Sequence, residues 1–221
     1  FIADDYRLLK VDKVDNRPIS SNTVNRLKKS ISASHADAFV FSDFRHGIFN
    51  PLVIPELVDA LPEGAFRVAD SQVASRWGNI LDFCGFDLIT PNEREARFAL
   101  GDQDSVIRPL ALDLYKRAKC KTLVLKLGEQ GILTYRDPSS ETGAFFSIDS
   151  FAGEVVDPVG AGDALLAYTT LALTATRSEV VASVLGSMAA AVACEHDGNL
   201  PVTPEQVLKK IDYVESYTHL V

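Results

Sequence analysis

The chain is short of positive charge, of sulfur and of long apolar runs, and each shortage removes a class of function. Lys and Arg total 22 against 30 Asp and Glu, for a net charge of -8, and no cluster of cations is dense enough to make a nucleic-acid surface. The three cysteines, Cys84, Cys120 and Cys194, are odd in number and far apart with no C-x-x-C pair, which argues against a disulfide framework and a zinc site. His35, His46, His196 and His219 lack the spacing of a catalytic pair, and no G-x-S-x-G elbow occurs. No apolar run reaches the roughly 18 residues of a membrane span, and no basic-then-apolar signal opens the chain. Neither nucleic acid nor membrane is therefore an expected partner, and the cytoplasm is the expected location. The single methionine is Met188, so Phe1 is not a translation start and an N-terminal segment is expected to be missing.

What is present fits a packed α/β body. At 221 residues, 47% hydrophobic and 24% charged, the chain can bury a full core and reads as one domain, 1–221, incomplete at its N-terminus. Residues 1–15 have the partial alternation of lid or edge strands, and 38–221 carries the α/β core. The pattern predicts a helix over 22–34, strands at 38–41, 66–69, 87–90, 122–127 and 132–135, and helices over 52–61, 93–100, 106–119, 161–175 and 178–195. Thr203-Pro204-Glu205-Gln206 supplies a cap, a first-turn proline and a capping-box Gln for a last helix. Strands alternating with helices point to a mainly parallel sheet, whose binding groups gather beyond the strand carboxyl ends. The polar residues at those ends are Ser42 and Asp43, Asp70 and Ser71, Thr90 and Asn92, and Lys126 with Gly128.

The most informative segment is Asp157-Pro158-Val159-Gly160-Ala161-Gly162-Asp163-Ala164. From Ala161 onward, Ala164, Leu165, Tyr168, Leu171, Ala172 and Ala175 fall on one helical stripe, so the two glycines sit where a helix leaves its first N–H groups unpaired. Glycines allow close approach of a phosphate, and the positive end of the helix dipole attracts it. Asp163 could simply stabilise its helix, or it could take a proton from a hydroxyl that attacks the phosphate. Asn92 and Glu95, three apart at a strand-to-helix turn, suit Mg²⁺ through retained waters, and equally suit a capping box. Gly128 and Gly131 mark a tight turn after Lys126. Gly160-x-Gly162 lacks the third glycine of a dinucleotide fingerprint, that position being Leu165, and no Walker A motif occurs.

Thr90 to Ala96, Lys126 to Gly131 and Asp157 to Ala164 appear in the order and spacing of the ribokinase-like, or PfkB, carbohydrate kinases, and the chain resembles that family from about 39 to 207. The resemblance implies a three-layer α/β/α fold with a mainly parallel central sheet and an ATP- and Mg²⁺-dependent kinase of a sugar or sugar phosphate. It implies that Asp163 is the catalytic base, that Gly160, Ala161 and Gly162 form the anion hole, and that Asn92 and Glu95 organise the Mg²⁺ shell. Lys126, Gly128 and Gly131 would border the nucleotide, with Met188 near the adenine. Phe41-Ser42-Asp43-Phe44-Arg45-His46-Gly47 is similar to an S-D-Y-x-x-G stretch of heptose 7-phosphate kinases and makes Asp43 and Gly47 the expected substrate contacts. Asp70-Ser71-Gln72-Val73 stands where those kinases carry D-P-K-G, without its lysine. The expected partners are the sugar or sugar phosphate, the missing N-terminal segment and a second copy in a homodimer. The competing expectation is a non-catalytic nucleotide-binding fragment that needs that segment or a partner for activity.

Overall fold

A computed structural model of the chain describes residues 2–3, 6–7, 11, 15–73, 80–139 and 143–218, the side chains of 2–3, 6–7 and 217–218 excepted. Two short strands, β1 (Ile2–Ala3) and β2 (Tyr6–Arg7), pair antiparallel. Residues 1, 4–5, 8–10 and 12–14 of the expected lid or edge segment, and His219, lie outside the described residues.

The main sheet has six strands in chain order: β3 (Ala38–Asp43), β4 (Phe66–Ser71), β5 (Leu88–Ile89), β6 (Thr122–Lys126), β7 (Ile132–Tyr135) and β8 (Phe145–Ile148). β3 to β6 are mutually parallel, and β7 and β8 add an antiparallel meander at one edge. Helix α1 (Ser21–Ser32) leads into β3, helices α2 (Val53–Val58), α3 (Glu93–Leu100) and α4 (Ile107–Ala118) lie in the connections between the parallel strands, and α5 (Ala161–Thr176), α6 (Glu179–Cys194) and α7 (Pro204–Thr218) follow the meander. The two faces of the sheet can be read from alternate residues. Ala69, Ile89, Leu123 and Leu125 pack with Val24, Ile54, Leu57, Leu110 and Leu114 of α1, α2 and α4, whereas Val68, Leu88 and Val124 pack with Leu165 and Leu166 of α5. This is the expected three-layer α/β/α arrangement, with the sheet buried on both sides as parallel strands require.

Three local features depart from the sequence pattern. β8 was not expected, because its Phe145-Phe146-Ser147-Ile148 run is short and half exposed. α2 is six residues long and ends at Val58, with turns completing the segment to Leu61. The buried face of α5 is also rotated from the expected stripe: Leu165, Leu166, Thr169, Thr170, Ala172 and Leu173 are buried, and Leu171 is 66% exposed. The reason is that α5 is covered by the sheet on one side and by α6 on another. Its threonines take part because Thr170 and Thr174 donate to the carbonyls of Leu166 and Thr170, at 2.6 and 2.8 Å, which hides their polarity. The α5–α6 contact is close enough that a Cβ built on Gly186 would lie 2.0 Å from Thr169 Oγ1. No helix of the described residues is long and apolar enough to cross a membrane.

Candidate active site

The carboxyl ends of β4 and β6, the start of α3, the head of α5 and one face of α6 surround a cavity of about 640 Å³. Its polar wall carries Asp70, Asn92, Arg94, Glu95, Lys126, Gly160, Ala161, Gly162 and Asp163, and its apolar wall includes Ile132, Leu165, Ala190 and Ala191. Residues separated by 93 positions in the chain thus meet because parallel strands point all their carboxyl ends to one edge.

Asn92 ends the extended segment after β5 and caps α3. Its Oδ1 accepts from the Glu95 N–H at 2.8 Å, and Glu95 Oε2 accepts from the Asn92 N–H at 2.7 Å, so the capping box is complete. Asn92 Nδ2 also donates to Glu95 Oε1 at 2.8 Å. Glu95 is only 5% exposed, and burial pushes its carboxyl up, with Lys126 pulling it down and Asp70 pushing it further up. Lys126, the last residue of β6, donates its Nζ to both oxygens of Asp70 at 3.1 Å. A Cβ built on Gly162 would lie 3.4 Å from that Nζ, so the ammonium stands against the head of α5.

The glycine segment is held from two sides. Asp157 Oδ1 accepts from the Val159 N–H at 3.1 Å, and its Oδ2 accepts from the Gly198 N–H at 3.2 Å, which ties the segment to the loop after α6. Gly160 has φ 88°, so the position favours glycine on conformation, and a Cβ there would lie 2.2 Å from Asn199 Oδ1, whose side chain would have to turn aside. The Ala161 N–H donates to the Pro158 carbonyl at 3.3 Å, whereas among the described residues no backbone carbonyl accepts from Gly160, Gly162 or Asp163. Asp163 opens to the cavity, yet the cleft walls desolvate its carboxyl and push it up, the Asp70 charge pushes the same way, and Lys126 opposes both.

Eight of the expected site residues other than Asp163 therefore meet in one place: Gly160, Ala161, Gly162, Asn92, Glu95, Lys126, Gly128 and Gly131 all line the cavity with it. Three do not. Met188 is 6% exposed and packs with Ala189 and Val207 on the α7 side of α6. The cavity instead takes Ser187, Ala190, Ala191 and Cys194, whose i, i+3, i+4, i+7 spacing was the signal for the correct face. Asp43 is 3% exposed and turned inward, accepting from the Arg45 N–H at 2.8 Å, from Arg45 Nη1 at 2.7 Å and from Ser71 Oγ at 3.0 Å. Gly47 lies where a Cβ would come within 2.4 Å of the Arg17 carbonyl oxygen, a packing requirement of the backbone. Asp70, which the sequence offered only as one strand-end acid among several, lines the cavity and pairs with Lys126.

A helix terminus whose Gly162 and Asp163 N–H groups donate to no backbone carbonyl among the described residues shares a cleft with several carboxylates at the strand carboxyl ends, a geometry that suits an anion. The chain belongs to the pfkB family of carbohydrate kinases, which it matches over residues 30–206. It is similar to the Bifunctional protein HldE of Pelobacter propionicus, at 26% identity over 97% of this chain, and to that of Geobacter metallireducens, at 27% over 97%. The chain spans 44% of the length of each of these relatives. Among solved structures it resembles phosphofructokinase-2 from Escherichia coli in complex with potassium, with TM-score 0.74 and 20% identity, covering 90% of this chain and 64% of that one. Ribokinase from Arabidopsis thaliana, complexed with ribose and ATP, gives TM-score 0.67 and 19% identity over 88% of this chain and 60% of that one. At these identities the structural likeness is one of fold.

Proposed function

We propose that the chain carries the nucleotide-binding and catalytic half of a kinase that transfers the γ-phosphoryl group of ATP to a hydroxyl of a sugar or sugar phosphate. The observation that carries this reading is the position of Asp163, in the first turn of α5, lining the same cavity as Gly160, Gly162, Glu95 and Lys126. A carboxyl pushed above its ordinary range is a stronger base, and Asp163 takes the proton of the acceptor hydroxyl as its oxygen attacks phosphorus in line. The N–H groups of Gly162 and Asp163, at the positive end of α5, face the charge that develops on the transferring phosphoryl oxygens. The apolar wall of Ile132, Leu165, Ala190 and Ala191 fits the flat face of a purine.

The donor chemistry fits Mg²⁺ held largely by water and phosphate. Both Glu95 oxygens already accept hydrogen bonds from Asn92, and among the described residues no group of three or more His, Cys, Asp or Glu could hold a metal by itself. Asn92 and Glu95 would therefore hold the ion through its waters, as Mg²⁺ prefers, and the ion would supply charge neutralisation between the β- and γ-phosphates. Asp43 and Gly47 shape the turn after β3 in this reading, and recognition of the acceptor falls to other groups.

Asp163→Asn tests the assignment. It removes the base and leaves the helix terminus in place, so turnover should fall by about 10²- to 10⁴-fold while the affinity for Mg·ATP changes little. The measurement is steady-state kinetics on sugars and sugar phosphates beside calorimetric ATP titration, and unchanged turnover would refute the role of Asp163.

A further inference from the structure

A second cavity of about 730 Å³ adjoins the first and shares with it Asn92, Arg94, Lys126 and Gly128. Among the described residues, three cations line the two cavities: Arg94, Arg97 and Lys126. Two of them are committed to carboxylates. Arg97 donates its Nε to Glu93 Oε1 at 2.8 Å and closes a second contact to the same oxygen through Nη2, also at 2.8 Å, and Lys126 grips Asp70 at 3.1 Å. Arg94 is exposed at the shared wall, one residue from Glu95 and two from Asn92, and among the described residues it has no carboxylate partner.

Among the described residues the first cavity otherwise presents Asp70, Glu95, Glu129 and Asp163 as carboxylates, with Lys126 already paired, so this lining is net acidic. A nucleotide triphosphate carries roughly four negative charges at neutral pH, and its approach to such a wall requires mobile positive charge at the mouth. A guanidinium suits the task because its planar fork binds phosphate oxygens in pairs. We infer that Arg94 is a binding residue for the polyphosphate chain of the nucleotide, gripping it from the rim between the two cavities while Lys126 stays with Asp70. This inference rests on the phosphotransfer reading above, and it adds Arg94 to Lys126, Gly128 and Gly131 as residues expected to border the nucleotide.

The test is isothermal titration of the unsubstituted chain, Arg94→Gln and Arg94→Lys with Mg·ATP, ADP and adenosine. Binding of Mg·ATP by the unsubstituted chain checks the underlying reading by itself, and no binding there would refute that reading before any variant is compared. Given that binding, Arg94→Gln should weaken Mg·ATP by 10-fold or more and ADP by a similar factor, leave adenosine unchanged, and be partly rescued by Arg94→Lys. Equal affinity of Arg94→Gln and the unsubstituted chain for Mg·ATP would overturn the inference, and so would an equal loss for adenosine, which would mark a general disturbance of the cleft. Because Arg94 is exposed and has no carboxylate partner among the described residues, thermal melting of Arg94→Gln should match the unsubstituted chain; a large drop would count against the inference.

Discussion

Gly128 and Gly131 flank the same 3-10 turn between β6 and β7, and alanine at each should have different costs. Gly131 has φ 81° and ψ -128°, a region open almost only to glycine, and a Cβ there would lie 2.1 Å from the Ile148 carbonyl oxygen, 2.7 Å from the Asp149 carbonyl carbon and 2.8 Å from the Ser150 nitrogen. These are backbone atoms, so relief requires β8 to move away from β7, with the loss of one or two ladder hydrogen bonds at about 1 kcal/mol each. The backbone conformation adds about 1–3 kcal/mol, and Gly131→Ala should therefore cost about 2–5 kcal/mol in all. Gly128 has φ 62° and nothing within 4 Å of a built Cβ, so Gly128→Ala meets only the left-handed penalty of about 1–2 kcal/mol. Urea denaturation followed by circular dichroism measures both, and in a chain of this size each kcal/mol lowers Tm by about 2–4 °C. Equal destabilisation by the two alanines would refute the reasoning, since only Gly131 has a neighbour to strike.

The charges around Asp163 give a paired prediction for the pH dependence of turnover. A base acts when deprotonated, so activity rises with pH through its pKa; Lys126→Met removes a charge that lowers Asp163 and should move this acid limb to higher pH, whereas Asp70→Asn removes one that raises it and should move the limb lower. Profiles of kcat against pH at saturating substrates decide the matter, and shifts in the same direction would identify another group as the base. At the opposite edge of the sheet, burial would raise Asp87, but hydrogen bonds from Lys121 and the Arg67 N–H, with the charges of both residues, outweigh it and hold the carboxyl below its ordinary value. A depressed folded-state pKa contributes stability that is present above the unfolded value and lost as pH falls through the folded one. Asp87→Asn should thus cost about 1–2 kcal/mol at neutral pH, and the difference from the unsubstituted chain should shrink in acid below the ordinary carboxylate range; a difference constant with pH in urea titrations would show that the charge is not its source.

Much of the fold was legible because local signals agreed with one another. The run 122–127 reads as a buried strand without help from its neighbours, and β6 spans Thr122–Lys126 of it; Thr203 with Gln206 forms the expected capping box at the head of α7, at 2.8 and 3.4 Å. α5 was placed within a residue at either end, yet its buried face was misread, because a helix covered on two sides has no single apolar stripe and threonines can bury by bonding to their own helix. β8 was missed for a related reason: an edge strand gets its pairing from β7 and needs little hydrophobic pattern of its own.

The sequence by itself determined the chemistry on offer: glycines at 160 and 162 beside an acid at 163, an Asn and Glu three apart at 92 and 95, and a lysine at 126 before two glycines. These are short-range patterns, and helix termini and turns are governed by residues a few positions away. Only the tertiary structure decided which of those groups share a space. The parallel strands carry Asp70 and Lys126 to one edge and pair them, α6 turns Ser187 and Ala191 toward the cavity and Met188 away, and Asp43 folds inward onto Arg45. Burial, pairing and facing depend on residues tens of positions apart, and packing sets them once the strands have chosen their neighbours.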